Sequence, residues 1–139
     1  MATGAVGPWG GNSAGPWTFK PDGRIIEIWI TSGDLIDSIR FVYEDQNQVK
    51  HHSPRYGGDG GTEQKIAFDE DEELNMMSGT TGDYVMSLSF RTNKRTFGPY
   101  GKTDEGTSFS LPVAKGKFVG FFGECGDYLD SIGAILQFE

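Results

Sequence analysis

Two carboxylates, Asp37 and Asp130, each stand four residues after a glycine in segments that otherwise repeat. Residues 33–41 read GDLIDSIRF, residues 82–90 read GDYVMSLSF and residues 126–134 read GDYLDSIGA. Met86 holds the corresponding place in the middle copy. The chemistry of such a turn is defined by its parts. Glycine permits a positive φ and leaves room for a ligand beside the backbone. Successive N–H groups in the turn point outward together as donors. The carboxylate four residues on supplies two acceptor oxygens. Donors and acceptors paired in one small concavity suit vicinal hydroxyls, which both give and accept hydrogen bonds, and the carboxylate makes the stronger, charge-assisted bond. The first acid of each turn, Asp34, Asp83 or Asp127, contributes its N–H, and its side chain fixes the turn. Symmetry alone explains a repeated Gly-Asp, but not a second acid kept in two copies and lost in the third.

The elements that must position these turns have a period of two. Ile26, Ile28 and Ile30 alternate with Ile25, Glu27 and Trp29. Ile39, Phe41 and Tyr43 follow the first turn, Leu88 and Phe90 the second, and Ile132, Ala134, Leu136 and Phe138 the third. Alternation of this kind marks strands with one buried face. Further short strands are predicted at residues 65–68, 73–78, 108–111 and 117–122. Turn residues separate them, including Pro21-Asp22-Gly23, Asp45-Gln46-Asn47 and Lys115-Gly116. Three glycine clusters, at residues 7–11, 57–61 and 98–101, lie in different thirds of the chain, and the last reads as a plain turn. About a dozen strands at such spacing indicate an all-β sandwich, barrel or prism without a helix longer than a turn. The acidic run at residues 69–73 reads as a solvated turn between strands, and His51-His52 as a solvated pair. The three Trp residues read as packing groups, with Trp17 a candidate neighbour of the site. Three units that cannot each bury an apolar face alone must pack around a shared axis, as one domain over residues 1–139.

Composition narrows the partners. The 139 residues carry 20 acids against 12 bases, for a net charge of −8. That argues against a nucleic-acid backbone or an anionic membrane as partner and suits a neutral ligand. Cys125 is the single cysteine, so no internal disulfide forms. No apolar run approaches the roughly 18 residues that span a bilayer. Asn12, Asn47, Asn75 and Asn93 all lack Ser or Thr two positions on, the N-terminal residues lack a leader's basic and apolar regions, and a cytoplasmic or nucleus-accessible location is expected. No metal or other cofactor is expected: the 69–73 run lacks the alternating ligands and glycine of a calcium loop, and His and Cys are too few for zinc. A two-carboxylate glycosidase needs acids about 5–10 Å apart across one bond, and Asp37 and Asp130 belong to different repeats.

Eight motifs carry a family resemblance: GPWGGN, FVYED, YGGDGGT, SGTTGDY, FRTNKRTFGPYG, TSFSLP, GKFVGFFG and GDYLDSIG, in order over nearly the whole chain. Together they resemble the jacalin-related plant lectins. The resemblance implies a β-prism, three four-stranded sheets about a pseudo-threefold axis, and carbohydrate binding without catalysis. It implies one sugar site at Gly15, Asp127, Tyr128 and Asp130, and a second, present in some members, at Asp34, Leu35, Asp37 and Gly61. Asp127, Tyr128 and Gly15 would donate backbone N–H groups, and Asp130 would accept from two hydroxyls. The family often has Gly-Gly where this chain has Ala14-Gly15. The chain runs uncut through its N-terminal glycine loop, which places it with the mannose/glucose-specific branch and makes mannose-containing glycans and glycoproteins its expected partners. A homodimer or homotetramer is expected by the same resemblance, and no binding at the Met86 turn. The rival readings are a galactose-preferring lectin and a protein-interaction or stress-signalling module on the same fold.

Overall fold

The computed structural model describes residues 2–138. Thirteen strands make up the described chain: β1 (Thr3–Gly10), β2 (Gly15–Phe19), β3 (Arg24–Ser32), β4 (Ile36–Glu44), β5 (Lys50–His52), β6 (Tyr56–Gly57), β7 (Thr62–Ala67), β8 (Leu74–Thr81), β9 (Val85–Thr92), β10 (Thr96–Gly101), β11 (Thr107–Pro112), β12 (Lys117–Cys125) and β13 (Leu129–Gln137). They form three antiparallel sheets, ordered β1-β13-β12-β2, β10-β9-β8-β11 and β5-β4-β3-β7. In the third sheet β6 also pairs with β4, so β5 and β6 serve as one interrupted edge strand, and each sheet is four strands wide. The β-prism is therefore present.

Every sheet has the same plan. A central hairpin, β3–β4, β8–β9 or β12–β13, carries one Gly-Asp turn at its tip. Two edge strands flank it, joined by a segment that crosses over that tip. The first sheet takes its edges from the N-terminal residues and its hairpin from the C-terminal ones, so residues near 14 and 127 meet. The inner strands β4, β9 and β13 pack on one another, and Phe41, Phe90 and Phe121, one from each sheet, join at the centre. Phe41 stacks on Phe121 with centroids 5.0 Å apart, and Phe90 meets Phe121 edge-on at 6.2 Å. Each fully buried ring contributes on the order of 2–3 kcal/mol.

The alternating residues predicted to face inward do so from Ile26 through Leu136, apart from Tyr43, which is only partly buried against the core. Phe138 is 44% exposed, beyond the end of the β13 ladder. The glycine cluster at residues 98–101, expected as a turn, lies within β10, and residues 7–10 lie within β1. Both are edge strands containing a cis Gly-Pro bond and a register shift, where the missing proline N–H faces away from the ladder. The acidic run is a turn, but Glu72 in it is not solvated. Its carboxylate is buried, accepting from Arg95 (Nε at 2.9 Å), Thr92 Oγ1 (2.6 Å) and the Asp69 amide (3.0 Å). These bonds, with Arg95 the largest influence, hold its carboxyl down to about 2. His51 bonds Asp45 at 2.7 Å and stacks on Tyr43, so it is fixed rather than free in solvent. Trp9 stacks on Phe109, Trp17 on Tyr56, and Trp29 lies against Arg40 and Lys65.

Candidate functional site

The three Gly-Asp turns close in the same way. Gly33 N–H donates to Leu35 O (3.0 Å), Gly82 to Tyr84 O (2.9 Å) and Gly126 to Tyr128 O (3.0 Å). The glycine amide is thereby used internally, and those of the next two residues are left at the tip. The crossing segments are also stitched alike. Gly11 N–H donates to Asp130 O (2.9 Å), Gly58 to Asp37 O (3.0 Å) and Lys102 to Met86 O (2.9 Å). Each crossing thus hangs on the residue at the fifth position of its turn, and this bond brings a loop distant in sequence to the acid. Two crossings also run hard against a neighbouring turn. A Cβ on Gly11 would lie 2.2 Å from Asp83 O, and one on Gly58 2.0 Å from Asp127 O, so only glycine passes.

At the 126–130 turn the structure brings Gly15, Asp127, Tyr128 and Asp130 onto one open cleft of about 350 Å³. Ser13, Ala14, Tyr84 and Gly126 complete the lining. Asp130 is only 4% exposed, as the second residue of β13 between the buried Leu129 and Ser131. Burial pushes its carboxyl upward, and the Glu124 charge adds to this, while the Gly126 N–H bond holds it down in part. Tyr128 stands at the rim, 37% exposed, with its ring edge-on to Tyr84 at 5.1 Å. Trp17, considered for this neighbourhood, is buried and does not line the cleft.

At the 33–37 turn Asp37 is 8% exposed, the second residue of β4. Burial pushes its carboxyl upward, followed by the charge of Asp34. The crossing glycines lie over it: a Cβ on Gly60 would sit 2.8 Å from Asp37 Oδ2, and one on Gly61 2.7 Å from Oδ1. Gly61 also has φ +81°, which excludes other residues on a second ground. Asp34 is exposed and Leu35 half-buried. Among the described residues neither Asp37 nor Asp130 is paired with a cation. Two nearly buried carboxylates without a cationic partner keep lone pairs that neutral hydroxyl donors can satisfy.

The 82–86 turn lacks that acceptor. Met86 is half-buried, and Lys102 stands where the other crossings begin with glycine, its Nζ 3.3 Å from Glu105 Oε1. Its Tyr84 instead serves as a wall of the neighbouring cleft. Tyr84 and Ser13 were not singled out from sequence, and Ala14 was noted only as a departure from the family's Gly-Gly. Tyr84 belongs to the copy without the acid, and only the packing of two turns at the prism tip reveals its place. No group of three or more His, Cys, Asp or Glu among the described residues is arranged to hold a metal ion.

Comparison with known proteins agrees with this fold. The jacalin-like lectin domain matches residues 6–135. A mannose/glucose-specific lectin of Parkia platycephala is 41% identical over 145 residues, covering 96% of this chain, which spans about a third (32%) of that relative's length. The structure of the wild-type Malaysian banana lectin superposes with a TM-score of 0.90 at 40% identity, covering 99% of this chain and 100% of the other. That of artocarpin in complex with mannotriose gives 0.90 at 36% identity and 99% coverage of both chains. A family domain over nearly the whole chain, on a prism whose turns and crossings have this plan, makes the chain a member of the jacalin-related lectin family.

Proposed function

We propose that this chain is a mannose/glucose-specific lectin that binds mannose-containing glycans without altering them, at two sites per chain. One site comprises Gly15, Asp127, Tyr128 and Asp130, the other Asp34, Leu35, Asp37 and Gly61. The observation that carries the reading is the pair of nearly buried carboxylates without a cationic partner among the described residues, one beneath the crossing glycines Gly60 and Gly61 and the other sharing a cleft with Gly15. The relatives named for mannose and glucose, and the neighbour solved with mannotriose, support the sugar class. The Met86 turn lacks the acceptor and binds no sugar.

Four or five hydrogen bonds net only about 1 kcal/mol each against water, which gives a millimolar Kd, about −4 kcal/mol. Two sites per chain, multiplied in a homodimer or homotetramer, convert weak sites into useful avidity. Calorimetry with methyl α-mannoside and methyl α-galactoside, both in EGTA, tests the proposal. Millimolar mannoside binding at two per chain is expected. A galactoside preference overturns the specificity, and a stoichiometry of one retires a site. Absence of heat from the folded protein favours an interaction module instead.

A further inference from the structure

We infer that Glu124 is a positioning residue of the 126–130 site: its carboxylate holds the Ala14 amide, and with it the crossing loop that lines the cleft. This rests on the sugar-site reading above but goes beyond it to the residue that shapes the loop.

The threefold plan exposes Glu124 as an exception. Ladder register makes Thr31↔Ser38, Thr80↔Ser87 and Glu124↔Ser131 equivalent pairs. In the first two the hydroxyls bond one another, at 2.6 and 2.7 Å. In the third the Ser131 hydroxyl accepts the Glu124 N–H at 2.9 Å, and the longer side chain reaches up to accept the Ala14 N–H on Oε1 at 3.0 Å.

A second exception lies at the other end of that bond. Gly15↔Cys125, Thr62↔Ser32 and Thr107↔Thr81 are equivalent, so Ala14, Gly61 and Gly106 are equivalent too. Gly61 and Gly106 have φ +81° and +88°. Ala14 is not in that region, which an L side chain enters at a cost. The backbone here takes another path, and its amide needs a partner. Threonine has become glutamate at the site where glycine has become alanine, and a hydrogen bond joins the two. Glu124 itself does not line the cleft, so it acts through the loop.

The test uses Glu124→Gln, which keeps the Oε1 acceptor without charge, and Glu124→Thr, which restores the residue type of the other two sheets and loses the reach. Each is made in an Asp37→Asn background to isolate the 126–130 site, and in an Asp130→Asn background to isolate the other. Hydrogen exchange of the Ala14 amide is read by NMR without sugar, and affinity by titration with methyl α-mannoside. Glu124→Thr should speed Ala14 exchange at least tenfold and weaken the 126–130 site at least tenfold. Glu124→Gln should stay within about threefold of the parent in both. Neither should move the Asp37 site. Wild-type exchange and affinity in Glu124→Thr overturn the inference, as does equal damage from Gln and Thr. A parent chain that binds no sugar refutes the lectin reading instead, and Ala14 exchange then decides the clamp alone.

Discussion

Replacing Asp130 by Asn separates binding from folding. The side chain is 4% exposed at the floor of the cleft and has no cationic partner among the described residues. A hydroxyl hydrogen bond to a carboxylate is worth about 1.5–3 kcal/mol, and two are expected here. Asn keeps one acceptor and turns an amide N–H toward a hydroxyl that was donating. The loss is at least one charge-assisted bond, about 2 kcal/mol, or roughly 30-fold in Kd. A millimolar site then falls outside measurable titration. The fold should not suffer. The Asp130 carboxyl is held above its ordinary value by burial and then by Glu124, so the folded state binds its proton more tightly than the unfolded state. Ionised Asp130 therefore costs stability at neutral pH, a cost that disappears as pH falls below the unfolded value. Asn carries no such cost and still accepts the Gly126 N–H. The melting temperature of Asp130→Asn should equal or exceed that of the parent, while NMR titration with methyl α-mannoside shows only the Asp37 site. Binding at parental strength to both sites, or a collapse of the melting temperature, would refute the reasoning.

Three other outcomes follow from the same geometry. Gly61→Ala forces a side chain to φ +81°, 2.7 Å from Asp37 Oδ1 and 2.8 Å from the Ser32 N, so it should abolish the Asp37 site, cost more in denaturant melts than the roughly 1–2 kcal/mol of left-handed strain alone, and spare the Asp130 site. Met86→Asp should leave calorimetric stoichiometry at two, because Lys102, paired with Glu105 at 3.3 Å, still puts a long side chain at the start of the third crossing where the other two have glycine. Arg95→Met strands the buried Glu72 carboxylate and should lower the urea midpoint. Glu72 is lowered from 4.5 to about 2 on folding. Its contribution is thus present above about 4.5 and lost as pH falls toward 2, and urea melts across that window should be flatter in the variant.

Much of this fold was legible because it depends on local periodicity. Ile28, Ile30, Ile39, Phe41, Leu88, Phe90, Ile132 and Ala134 follow the two-residue repeat and are buried. The edge strands β7 and β11 were legible in part, at 65–68 and 108–111, whereas the glycine-rich edges were not. β1 and β10 contain Gly-Pro, which by local rules means a turn, and only one-sided pairing lets such a segment join a sheet. Asp37 and Asp130 stood out from the repeat itself, whereas the crossing loops beside them came only from family resemblance, since loop and turn meet through long-range pairing. Glu124 lies outside a repeat that begins at the glycine. Extended two residues back, the copies read TSGD, TTGD and ECGD, and the odd acid is visible.

The placement of the two acids explains how a prism can carry a site without sacrificing its core. Each is the second residue of an inner strand, between neighbours buried at the hairpin tip: Ile36 and Ser38 around Asp37, Leu129 and Ser131 around Asp130. The acceptor is thus fixed by the ladder, as a productive geometry requires. The lining residues come from turns and crossings, which bear little of the core and, outside fixed glycines such as Gly11 and Gly58, differ among the three thirds. Met86, Lys102 and Tyr84 in one third, and Ala14 with Glu124 in another, are such variations on one backbone plan. The threefold repeat supplies three equivalent tips, and single residues at each decide whether it carries a nearly buried carboxylate, lends an aromatic wall to its neighbour, or, by the inference above, replaces a glycine turn by a carboxylate clamp.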